Sequence, residues 1–124
     1  MYNAKPAVAS ALSTDAQIIT LIPKSRMFDG TAVFSNSPVY PYLTYEEIAN
    51  TEALHADNRE IASEITIRIH IWNDSNVSIL AGHVDRIMKI ISFGRNFAQD
   101  LDEMLDNGKV IKHKIMSFTG SFVI

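Results

Sequence analysis

The stretch from Ser63 to Trp72 constrains the fold more than any other: Ile65, Ile67, Ile69 and Ile71 alternate with Glu64, Thr66, Arg68, His70 and Trp72. A period of two carried by β-branched residues reads as one strand with an apolar face and a polar face. Such a strand belongs at the centre of a sheet, and its apolar face needs a cover. The segment that follows supplies one. Asn73, Asp74 and Ser75 offer helix caps, and Val77, Leu80, Val84, Ile87, Met88 and Ile91 recur at gaps of three and four, on one side of a helix.

Helical patterning also precedes the strand, over Lys5 to Leu12 and Asp15 to Ile22, with Ser13, Thr14 and Asp15 as break and cap, and Pro23 as the stop. From Pro23 to Pro41 the periodicity is lost, apart from a short extended piece at Arg26 to Phe28; the segment reads as a long loop, either functional and mobile or a plain surface excursion. Tyr42 to Ala49 is aromatic and β-branched enough for a second strand, of open register. Polar Asn50 to Glu60 then reads as a long tip joining two antiparallel strands. Beyond the long helix, Gly94 is expected to cap its end. Phe97, Leu101, Met104 and Leu105 suggest a short helix with Asp100, Asp102, Glu103 and Asp106 outside. Asn107-Gly108 reads as a turn, Lys109 to Ser117 as a strand, Thr119-Gly120 as another turn, and Phe122 to Ile124 as a terminal strand.

These elements amount to an α+β fold: an antiparallel or mixed sheet with a long central strand at about 63–72, helices packed on one face, and long mobile loops. At 124 residues a single domain over 1–124 is expected, with one core. The 47% hydrophobic and 20% charged content is that of a soluble globular chain. No apolar run reaches the length a bilayer requires, and the first residues lack signal-peptide character, so an intracellular product without a membrane partner is expected. The absence of cysteine excludes disulfides and thiolate chemistry. A formal charge of −3 argues against a protein whose main task is to grip nucleic acid phosphates.

Chemistry-bearing motifs are sparse. His55, His70, His83 and His113 fall on different segments with no metal-pair spacing, and no phosphate-loop, dinucleotide or nucleophile-elbow pattern occurs. The acidic run from Asp100 to Asp106 suits a solvated face, and the adjacent Glu46 and Glu47 point to opposite sides of a strand. Two features stand out. Ile79, His83, Arg86 and Ile90 form a second stripe on the long helix, readable as a subunit interface or as a wide core stripe. Arg68, His70 and Trp72 would be exposed on the polar face of the central strand if only one side of the sheet is covered, and Trp and Arg are enriched at interfaces.

The order of these segments resembles the small tail terminator, or tail completion, proteins of tailed bacteriophages and prophage elements, also called tail-to-head joining proteins. The resemblance rests on Leu21-Ile22-Pro23 closing the first helix, Arg26-Met27-Phe28, Pro41-Tyr42-Leu43-Thr44-Tyr45, and Ile69-His70-Ile71-Trp72 before a short polar turn and helix. It covers roughly Ala7 to Ile91; from Arg95 onward the match is weaker. It implies an α+β, non-enzymatic virion subunit, assembled in the host bacterial cytoplasm, without catalytic residues, metal or cofactor. Such a subunit acts as a ring of six that caps the head-proximal end of the tail tube, stops tube polymerisation and joins the head connector. Its partners would be copies of itself, the tail tube protein and the head–tail connector or neck protein, with DNA only passing through the channel. Arg26, Phe28 and Phe34 on the first loop and His55, Asp57 and Arg59 on the second are the candidate partner contacts. Two alternatives remain: another neck or connector component, and a small metal-dependent hydrolase in which two or more of His70, His113, Glu64 and Asp74 converge.

Overall fold

The computed structural model describes residues 1–124. Two helices, α1 (Lys5–Thr14) and α2 (Ala16–Ile19), meet at Asp15, whose carboxylate accepts the amide hydrogen of Ile18 and caps α2. A single 3₁₀ turn at Lys24–Arg26 leads into a three-residue strand, β1 (Met27–Asp29). The frame of the molecule is the antiparallel pair β2 (Tyr42–Ala56) and β3 (Arg59–Asn73). Helix α3 (Ser78–Ile90) follows, and β4 (Gly94–Asp100), the two-residue β5 (Glu103–Met104) and β6 (Val110–Val123) complete the sheet. Its order is β1-β2-β3-β6-β4, with β5 paired to β6; β1 runs parallel to β2 and the remaining pairs are antiparallel, so the sheet is mixed.

The alternation of β3 settles which side is inside. Ile65, Ile67, Ile69 and Ile71 are fully buried and join Val8, Leu12, Ile18, Leu80, Val84, Met88 and Phe118 in a core of 18 buried residues. All three helices lie on that side. The α3 residues expected to face the strand do so, with Ile87 and Ile91 partly buried at the margin. Leu43, opposite Ile71, fixes the register of β2 that the sequence leaves open.

Five expectations are corrected. Asn50 to Glu60 is not a loop: β2 and β3 continue as a ribbon to a tight turn at Asp57-Asn58, whose φ angles of 53° and 60° are those of a type I′ hairpin turn. The helix expected around Phe97 to Leu105 is absent. Those residues form the exposed edge strand β4, a bend and β5, because hydrogen bonding to β6 outweighs a weak helical spacing. The last two strands are one, β6, and Gly120 lies inside it opposite Ile65. The end of α3 turns not at Gly94 but at Ser92, with φ of 73°. At the other end of α3 no side chain caps Val77, and Asn73 instead bonds Ser75 and Asn76 within the preceding turn.

Gly120 has a packing reason. A Cβ there would lie 2.8 Å from the carbonyl oxygen of Ser92 and 2.8 Å from the ring of Phe122. The turn leaving α3 thus closes directly onto β6, and Phe122 stacks on Tyr2 at 4.7 Å beside Phe93. Gly120→Ala is expected to cost about 1–3 kcal/mol through overpacking, read as a lower urea midpoint at unchanged slope. An unshifted midpoint would show that the turn yields freely.

Candidate functional site: the uncovered sheet face and the outer stripe of α3

The face of the sheet opposite the helices has no second layer. Side chains at its lower end screen one another instead. Trp72 stands between Tyr42, stacked at 4.7 Å, and His113, stacked at 4.3 Å. Phe34 and Phe28 meet Tyr42 edge-on at 5.0 Å and 6.4 Å, and Tyr40 closes the row at 5.6 Å. This aromatic belt pins the segment between Pro23 and Pro41 to the sheet. Burial pushes the Tyr42 hydroxyl up to about 12. His70 and Trp72 are consequently half-buried rather than openly exposed, and Arg68 on the same face is half-buried as well.

Next to the belt, four side chains from four strands meet in a chain. His70 Nδ1 lies 2.9 Å from His113 Nε2, Glu46 Oε1 lies 3.3 Å from His70 Nε2, and Glu103 Oε1 lies 3.4 Å from His113 Nδ1. Burial, then the charge of His70, holds His113 below the ordinary imidazole range. Of the residues expected to converge in a hydrolytic site, His70 and His113 do. Glu64 stands exposed further up the sheet and Asp74 pairs with Lys109 at 3.3 Å. No three His, Cys, Asp or Glu side chains come together as a metal cluster. Glu46 and Glu103, which complete the chain, are not assigned to it by sequence: Glu46 depends on the register of β2, and the spacing around Glu103 predicts a helix.

On the opposite side of the molecule, Ile79 and Ile90 are 63% and 66% exposed, and His83 and Arg86 between them are half-buried. Arg86 is tied to α2, its guanidinium donating to Asp15 Oδ2 at 2.7 Å. That bond, with the Ile18 amide, keeps the Asp15 carboxyl below its usual range. A depressed carboxylate contributes stability above its unfolded-state pKa and loses it as pH falls through the folded-state value. Asp15→Asn is therefore expected to lower stability at neutral pH and to flatten the acid limb of a stability–pH curve; an unchanged limb would remove Asp15 from the account.

Beyond the helical layer the hairpin projects as a two-stranded ribbon, every residue from Thr51 to Arg59 exposed. His55 pairs with Glu52 at 2.9 Å, while Asp57 and Arg59 occupy the turn. Residues 46–64 carry six carboxylates and one guanidinium, that of Arg59, with Arg68 just after. Arg26 is half-buried, with its Nε unpaired.

The family model described as "Tail completion protein gp17" matches residues 6–101. The chain belongs to this tail completion family. Its fold is also similar to a chain in a structure titled "Virion of native gene transfer agent (GTA) particle", with a TM-score of 0.54 over 92% of this chain and 90% of that one. At 9% identity this likeness concerns the fold. No curated protein matches the sequence. The tail completion protein thus has the α+β architecture its segment order suggests, and its family is one of phage structural components. No helix in it is long and apolar enough to cross a membrane.

Proposed function

We propose that this tail completion protein is the terminator of a phage or phage-like tail: a ring, of six subunits, on the head-proximal end of the tube. The ring occupies the growing edge, stops tube polymerisation and presents a surface to the head connector. The observation that carries this reading is the family match across residues 6–101. Ring formation requires two dissimilar patches, one on each side of a subunit. The α3 stripe of Ile79, His83, Arg86 and Ile90 is one, and the uncovered face with Arg68, His70 and Trp72 is the other. Arg26, Phe28 and Phe34, with the hairpin residues His55, Asp57 and Arg59, meet the tube or connector, and the acidic ribbon selects a basic surface there. A subunit of charge −3 lets DNA pass without gripping it.

Light scattering after size exclusion, followed by a tube-capping assay, tests this. A mass near six subunits, or a concentration-driven rise toward it, together with arrest of tube growth, is the expected result. Binding to a connector without arrest of growth would assign the protein to another neck position.

A further inference from the structure

We propose that His70 and His113, held between Glu46 and Glu103, form a one-proton switch on the uncovered face of the sheet, whose central contact breaks when a second proton enters. The proton count follows from the acceptors. A carboxylate accepts only, so Nε2 of His70, hydrogen-bonded to Glu46, carries hydrogen, and in the proposed switch Nδ1 of His113, at ion-pair distance from Glu103, carries one as well. The two inner nitrogens, 2.9 Å apart, would repel as two bare lone pairs and collide as two N–H groups. One hydrogen between them satisfies both. The pair therefore holds three protons on four nitrogens, a single positive charge between two carboxylates.

The same geometry suits a proton better than a metal ion. Ring centroids 5.2 Å apart with nitrogens 2.9 Å apart describe rings meeting head-on, each lone pair aimed at the other nitrogen. Two zinc–nitrogen bonds of about 2.0–2.1 Å at a tetrahedral angle would hold those nitrogens about 3.3 Å apart with the lone pairs converging off the line.

The lysines around the pair are already matched. Lys112 is bound to Asp102 at 2.8 Å, Lys114 to Asp100 at 3.1 Å, and Lys109 to Asp74. Arg68 lies opposite Glu46 in register but forms no ion pair, its buried Nε without a partner, so it adds positive charge on this face, and the Tyr42 hydroxyl stays neutral through the physiological range. A second proton thus finds only Glu46 and Glu103 to offset it. It places two cations at contact, and one ring must turn away. The strain falls on β5, which His113 reaches through Glu103, and on the bend before it, where the His113 carbonyl accepts from the Leu101 amide at 2.7 Å. Because the folded chain takes this proton less readily than the unfolded one, stability falls as pH drops below the ordinary imidazole range.

Imidazole nitrogen NMR on the full chain across a pH titration tests the switch, with fluorescence of Trp72, the only tryptophan, as a second readout because it stacks on both rings. The expected result is two coupled steps separated by more than about one pH unit, the lower one accompanied by a change in Trp72 emission and faster exchange of the Leu101 amide. His70→Gln should leave a single step for His113, moved upward. Should that variant fail to fold, Glu103→Gln keeps both rings and should move the lower step downward. Two independent titrations in the ordinary imidazole range, or a His113 step unmoved by both substitutions, would overturn the proposal.

Discussion

Phe118→Ala is expected to remove about 3–5 kcal/mol of stability, the largest loss from any single truncation in the sheet. Phe118 is fully buried on β6, directly opposite Ile67 on β3, and is one of the two largest side chains completely enclosed by the core. Truncation leaves a void beneath α3 that the surrounding isoleucines cannot fill, because their β-branched rotamers are fixed by the strand backbone. Marginal stability of a chain this size means that most of the folding free energy is at stake. Urea unfolding of the monomeric form checks it; a loss below about 1 kcal/mol would mean the site collapses around the gap and that β6 is not a main wall of the core.

The difference between Phe118 and Phe97 also explains which parts of this fold can be read from sequence. Where one face of an element is dry and the other wet, the pattern is unambiguous: β3 and α3 bury each other, and their alternations of two and of three to four survive in the residues. β4 has neither face buried; all seven residues are exposed, so nothing in its sequence records the strand. The chance spacing of Phe97 and Leu101 then resembles a helix. The hairpin ribbon is hidden for the same reason, since two solvated faces look like a loop, although Asp57-Asn58 is a pair that tolerates the left-handed turn found there. Gly120 misleads in the opposite sense, being a glycine required by a neighbouring turn rather than by its own. In the candidate site, Arg68, His70 and Trp72 share the face expected of them. The chain from Glu46 to Glu103 was out of reach because it joins four strands whose pairing only the fold supplies.

Charging the α3 stripe is the second change of large expected effect. Ile79→Asp combined with Ile90→Lys places a carboxylate in the first turn of α3 and an ammonium in the last, the signs its dipole favours. Both positions are more than 60% exposed, so the folded monomer should change by no more than about 0.5 kcal/mol. At a subunit boundary the same pair would replace two apolar contacts by two charges that must give up their water. Each loss of a central contact there is worth about 2 kcal/mol or more, so that ring association weakens by a factor of ten or more per site. On the proposed ring and tube-capping role, the expected outcome is a variant with an unaltered urea midpoint that elutes as a single subunit under conditions where the native chain is expected to assemble, and that fails to arrest tube growth. An unfolded variant would return the two isoleucines to the core, against their exposure. Rings formed as readily as before would move the boundary elsewhere, leaving the sheet face and the free edges of β2 and β4 as the surfaces that neighbouring subunits must use.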